Sequence, residues 1–194
     1  MLPDLNKYLH FIQQIYPLSQ ESLEALAPFL NHKSFAKKDY LVKQGDISNE
    51  LFIIMSGCVR EYFEDAYANE INTWFGIENA IAVSTYSFFS LKPSLTNIQA
   101  LEDTETIVIR QEDIQKLFSQ FHEIERLGRV LAEQYLVQID EIKIILQTLS
   151  AKQRYEYILQ HKPELVQRIP LKYLASFLGI KLETLSRVRG QKQK

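Results

Sequence analysis

Residues 170–190, PLKYLASFLGIKLETLSRVRG, hold the densest set of side chains in this chain suited to chemistry on a charged partner. Glu183, Thr184, Ser186, Arg187 and Arg189 fall in one short stretch, with Lys181 just ahead of them and Lys172 earlier. These are hydrogen-bonding groups and fixed cations, suited to recognition rather than bond making. An arginine can fork onto a guanine edge, a glutamate can accept from cytosine N4, and lysine and hydroxyls suit phosphate. The apolar residues set the frame. Leu171, Leu174, Ala175 and Leu178 recur at helical spacing, Gly179 can end that helix with a positive φ, and Leu182, Leu185 and Val188 share the inner face of a second helix opening at Lys181 or Leu182. This is the layout of a helix-turn-helix, whose second helix reads the major groove.

Charge is distributed to match. The 194-residue chain is nearly balanced at −2, but residues 151–194 carry ten Lys/Arg against three acids, a net +7, and residues 1–150 carry −9. A basic module on an acidic body is what phosphate binding requires, because neutralised phosphates release counterions.

The rest of the chain must position that module. Residues 4–31 read as one or two short helices, with Leu5, Tyr8, Leu9 and Ile12 on one face and Ser19 as an N-cap. From Phe35 the pattern becomes short β-rich runs: 40–42, 51–55, 58–63, 70–75, 96–101 and 106–109, with Gly45-Asp46 and Ser56-Gly57 as turns. Such spacing favours a compact antiparallel roll over a parallel sheet. Residues 111–149 form one long helical pattern in which Ile124, Gly128, Leu131, Tyr135, Gln138, Ile142, Ile145 and Leu149 alternate by four and three, the seam of a coiled coil. The expected fold is α+β: a jelly-roll-like antiparallel β-roll with N-terminal helices (1–110), a long dimerisation helix (111–150) and a small helix-turn-helix domain (151–194).

Several function classes lack their signatures. There is no Gly-rich phosphate loop, nucleophile elbow, HExxH or paired-carboxylate constellation, so no enzyme is expected. One cysteine, Cys58, excludes an internal disulfide framework, and His10, His32, His122 and His161 lack metal-ligand spacing, so no metal site is expected. No run approaches the roughly 18 apolar residues of a membrane span, and the N-terminus lacks a signal-peptide pattern; a cytoplasmic address without membrane contact is expected.

Segment 45–60, GDISNELFIIMSGCVR, resembles the hairpin of the cyclic-nucleotide-binding β-roll at Gly45, Phe52, Ile54, Gly57 and Val59, followed by basic Arg60. With the helix-turn-helix downstream, nearly the whole chain resembles the Crp/Fnr family of bacterial transcription regulators. The resemblance implies a homodimer across Ile124, Leu131, Tyr135, Ile142, Ile145 and Leu149, a double-stranded DNA partner with a palindromic site, and RNA polymerase as a further candidate partner. It maps base reading onto Glu183, Thr184 and Arg187, while Leu182 stands where guanine readers carry Arg. Nucleotide binders of the family carry a Phe-Gly-Glu-type turn and, further on, an Arg followed by Ser/Thr-Ala. Here Phe75-Gly76-Ile77-Glu78 keeps the glycine and a displaced glutamate, and aligning Ala100 places Ser94 at the arginine position, with Thr96 beside it. Gly76, Glu78, Ser94 and Thr96 are therefore the candidate ligand residues. Without the guanidinium, cAMP is not expected as a cofactor; the roll is either filled by its own side chains or takes an unknown small ligand. The competing reading is a ligand-sensing or scaffold roll that has lost sequence-specific DNA binding.

Overall fold

The computed structural model describes residues 5–190. Two helices, α1 (Leu5–Ile15) and α2 (Gln20–Leu26), open the chain, α2 capped by the Ser19 hydroxyl accepting from the Ser22 N–H. Eight strands follow: β1 (Asn31–Phe35), β2 (Tyr40–Val42), β3 (Glu50–Ser56), β4 (Val59–Glu64), β5 (Glu70–Gly76), β6 (Ile81–Ala82), β7 (Asn97–Ala100) and β8 (Thr104–Arg110), with α3 (Thr85–Ser90) between β6 and β7. They form two four-stranded antiparallel sheets, ordered β1-β8-β3-β6 and β2-β7-β4-β5. Between them pack Val42, Phe52, Ile54, Val59, Ala82, Ile98 and Val108, with Trp74 and Phe35 at the margin. The expected antiparallel roll is present. Two strands were not anticipated: β1, whose NHKSF sequence lacks apolar alternation and is held by its pairing with β8, and the two-residue β6.

The glycine of the β3–β4 turn is obligatory. Gly57 has φ +104°, and a Cβ there would collide with Thr104 and with the Asp103 carbonyl. The turn brings the β3–β4 hairpin against the β7–β8 turn, and the Gly57 N–H donates to Glu78 Oε1 (2.9 Å), tying in a third loop.

After β8 the long helical pattern is broken at Phe121, whose φ of −128° and ψ of 102° separate α4 (Gln111–Gln120) from α5 (His122–Thr148). The break lets α5 fold back on α4, and Gly128 lies under the Phe118 ring, where a Cβ would collide. The close approach that Gly128 permits is thus made within the chain. Leu117, Ile124 and Leu127 pack with Ile12, Leu23 and Leu26 of the N-terminal helices and with Ile53, Met55, Ile107 and Ile109 of the roll.

Four short helices complete the chain: α6 (Ala151–His161), α7 (Pro163–Arg168), α8 (Leu171–Phe177) and α9 (Leu182–Gly190). α6 starts on a capping box made by Ser150 and Gln153. Residues 163–168 are helical: Pro163 sits at the first turn, where its missing N–H is harmless, and Glu164 complements the positive helix end. The core of this module, including Tyr155, Ile158, Leu174, Leu178 and Leu185, also takes in Cys58 and Phe75 of the roll, with Phe75 edge-on to Phe177.

Gly57→Ala combines left-handed strain with overpacking and should cost about 2–4 kcal/mol. Urea denaturation measures it; an unchanged midpoint would show the turn to be permissive.

Candidate nucleic-acid interface and roll interior

The α8–α9 pair is locked by backbone chemistry. The Ile180 N–H donates to the Ala175 carbonyl and the Gly179 N–H to the Ser176 carbonyl (both 3.0 Å), with Gly179 at φ +64°, a Schellman ending that fixes where α9 starts. Arg154 of α6 reinforces it, donating from Nη1 to the Leu178 carbonyl (2.8 Å) and from Nε to the Leu149 carbonyl (2.9 Å). Leu185 and Val188 are buried against α6 and α8. The opposite face of α9 is open: Lys181, Glu183, Ser186 and Arg187 are exposed, and Thr184 and Arg189 are half-buried. Leu182, at the head of that face, is 42 % exposed. Six of the seven expected DNA-contacting residues therefore lie on or next to one helix. The seventh, Lys172 on α8, is exposed but leans over the Tyr173 ring (4.5 Å to its centroid), near Glu70, whose pKa is lowered chiefly by its hydrogen bonds from Arg60 and in lesser part by the Lys172 charge.

Not all of the module's positive charge is available to a partner. Lys192 and Lys194 lie outside the described residues. Arg168, at the end of α7, is held by two carboxylates of the roll: Nη1 donates to Glu78 Oε2 and Nη2 to Glu102 Oε2, each at 2.6 Å. These contacts hold Glu78 below the ordinary glutamate value and raise the arginine further. Beside them, Arg60 of β4 is 2 % exposed. Its guanidinium lies 3.9 Å from both the Tyr62 and Tyr173 centroids and pairs with Glu70 (2.7 Å) and Gln99 (2.7 Å). The Ser176 hydroxyl accepts from the Asn72 N–H (3.0 Å) and donates to the Glu70 carbonyl (2.9 Å), fastening α8 along β5.

The four residues expected to hold a ligand do not converge on a common cavity. Glu78 is taken by Arg168 and by the Gly57 N–H. Gly76 is covered by the Trp74 indole, which stands where a Cβ would be. Ser94 is 2 % exposed and bonded to the Ser84 hydroxyl (2.7 Å) and the Thr96 carbonyl (2.7 Å). Thr96 donates to Glu61 Oε1 (2.8 Å), a carboxyl whose pKa burial raises. Among the described residues no group of three or more His, Cys, Asp and Glu is placed to hold a metal, and no helix is long and apolar enough to cross a membrane.

The expected dimer seam is divided within the chain. Ile124 and Leu131 pack on the roll and its N-terminal helices, Ile142 packs on the C-terminal module, Ile145 is buried and Leu149 half-buried. Tyr135 is exposed along one edge but accepts a hydrogen bond from Thr85 of α3 (3.0 Å). The uncovered apolar residues of α5 are others: Leu136 (65 %), Val137, Ile139 and Ile144, in a stretch where residues 132–141 are exposed on every side. Four-three spacing marks any apolar stripe, including one buried by the helix's own chain, and both ends of this seam are packed that way.

Arg60, Asn72, Glu102, Arg168, Tyr173 and Ser176 were not identified as a site from the sequence. Its one signal was Arg60, a cation on the same face of its strand as Tyr62.

Because Glu70 and Glu78 are depressed below 4.5, their contribution to stability is full above that pH and lost as pH falls through their folded values. Melting curves of the wild type and Glu78→Gln should therefore differ at pH 7 and converge as pH falls through the depressed folded value of Glu78; a constant difference would refute the assignment.

Comparison with known proteins places the roll. The family model of the cyclic nucleotide-binding domain matches residues 32–121. Comparison with curated protein sequences returned no match. Among solved structures, CLP of Xanthomonas campestris, described as a c-di-GMP-responsive global regulator, superposes with a TM-score of 0.70 at 18 % identity, covering 90 % of this chain and 92 % of that one. FixK2 of Bradyrhizobium japonicum gives 0.69 at 17 % identity over 84 % and 83 %. A CooA variant of Carboxydothermus hydrogenoformans gives 0.66 at 20 % identity over 87 % and 78 %. Residues 32–121 thus match the cyclic nucleotide-binding domain, carried in a chain that shares its fold with Crp/Fnr-type regulators.

Proposed function

We propose that this chain is a DNA-binding transcription regulator of Crp/Fnr type, in which α8 and α9 form a helix-turn-helix and α9 enters the major groove. The observation that carries this reading is the open face of α9. Arg187, Glu183 and Ser186 stand exposed on a helix whose start is fixed by the Schellman turn and whose other face is buried. Arg187 is the guanine reader and Glu183 a cytosine acceptor. Leu182, in place of an arginine, offers an apolar contact suited to a thymine methyl. The fold shared with CLP and FixK2 supports the reading.

The active form is a homodimer joined along α5. A helix with ten consecutive exposed residues, among them Leu136, Val137 and Ile139, has its middle uncovered by its own chain, and a second copy of the same helix buries it. Two α9 helices roughly 34 Å apart then meet successive major grooves. The roll does not bind cAMP in this reading, since Trp74 covers Gly76, Glu78 is engaged by Arg168 and Ser94 replaces the phosphate-binding arginine.

DNA selected from a random pool and titrated by fluorescence anisotropy tests the output. Arg187→Ala should cost about 1–3 kcal/mol on the selected site and less on random DNA. No enrichment, or binding without a negative salt slope, would favour a scaffold that has lost DNA binding. Ile139→Arg should convert a dimer in sedimentation into a folded monomer; a monomeric wild type at tens of micromolar overturns the dimer.

A further inference from the structure

The contact between the roll and the C-terminal helices differs in kind from the roll's other contacts. Against α1, α2, α4 and α5 the roll presents an apolar surface of isoleucines, leucines and Met55. Against α7 and α8 it presents Phe75 and Cys58 flanked by two charge networks, Arg168 with Glu78 and Glu102, and Arg60 with Glu70, Gln99, Tyr62 and Tyr173. Under α8 the side-chain amide of Asn72, 3 % exposed, has neither its oxygen nor its nitrogen paired. An orphaned buried amide is a standing cost of the docked arrangement, and the Arg168 pairs, about a third exposed, are open to screening by salt. The docked state therefore depends, beside its apolar cluster, on a small number of identifiable polar groups.

One of those groups is unusually placed. Glu78 belongs to the turn that follows Gly76, the turn expected from sequence to meet a ligand, yet its carboxylate bridges the Gly57 N–H of the β3–β4 hairpin and the guanidinium of α7. We propose that Glu78 and Glu102 form a latch for Arg168, holding the α6–α9 module on the roll, so that any change at the 76–80 turn is passed directly to the DNA-reading helices without travelling along α5. The docked form is the one competent for DNA, because the reading face of α9 is open while the latch is closed. A ligand or partner that draws Glu78 away frees the module and loosens the spacing of the two reading helices. This consequence rests on the proposed DNA-binding function; the latch itself does not.

The Asn72 N–H, donated to Ser176 across the seam from β5, an edge strand, is a built-in reporter of undocking. Amide hydrogen exchange read by NMR should show Asn72 losing protection about three- to tenfold in Glu78→Gln, in Glu102→Gln and in Arg168→Lys, the last keeping charge but losing the fork. The Glu78→Gln/Arg168→Lys pair should lose no more than either single variant, because the two act through one contact. The amide of Val108, deep in the roll, should keep its protection in all of them, which separates undocking from general loosening. Unchanged Asn72 exchange in every variant, additive losses, or equal losses at Val108 would each overturn the latch. Anisotropy on a two-half-site DNA, run in parallel, should show a similar fall in affinity while a single half-site is unaffected. A wild type that binds neither DNA but shows the exchange pattern fails the functional reading and leaves the latch standing.

Discussion

Arg60 is a fixed positive charge with almost no surface of its own exposed, and the rest of the assembly is arranged around making that tolerable. A buried guanidinium demands a counter-charge and hydrogen-bond acceptors, since an uncompensated buried ion is costlier than nearly any packing defect. Glu70 and Gln99 provide these from the same sheet, but the two ring faces come from different parts of the chain, Tyr62 from the roll and Tyr173 from α8. Stacked guanidinium, planar and weakly hydrated, accepts such surroundings where an ammonium would not. Removing α8 would strip the Tyr173 ring from the guanidinium and leave Phe75 without Phe177, so the sheet's outer face is complete only with the C-terminal helices in place.

This dependence explains why the chain is less modular than its charge profile suggests. Net charge divides at Ser150 into an acidic body and a basic tail, and that division is electrostatically real. Part of the imbalance is spent internally. Arg168 answers Glu78 and Glu102 of the body, and Arg154 serves backbone carbonyls at Leu149 and Leu178. What remains for an anionic partner includes Lys181, Arg187 and Arg189 on or beside α9, together with exposed Lys152, Lys162 and Lys172.

Most of the fold was legible because local rules agreed with global ones. Apolar runs marked six of the eight strands, and Gly179 and Ser19 marked helix ends through their own local chemistry. β1 escaped because its residues are polar and its pairing with β8 supplies the order. The break at Phe121 escaped because it contains neither proline nor glycine and is imposed by α5 folding back on α4. The open face of α9 could be read directly, since burial there follows one helical period. The roll's polar residues could not. Glu78 meets an arginine ninety positions later, a partner that no local pattern reveals, and Ser94 is recruited by Ser84 into the interior.

Cys58 takes on a different character in this light. It has no exposed surface, sits at the seam between the roll and the C-terminal helices, and burial pushes its thiol up to about 12. At neutral pH it is a protonated, shielded sulfur, unable to act as a nucleophile, capture a soft metal or take an oxidant. Its reactivity is therefore not a property of the residue but of the seam: the sulfur stays silent for as long as the helices remain in place, and alkylation of this single thiol would keep time for their departure.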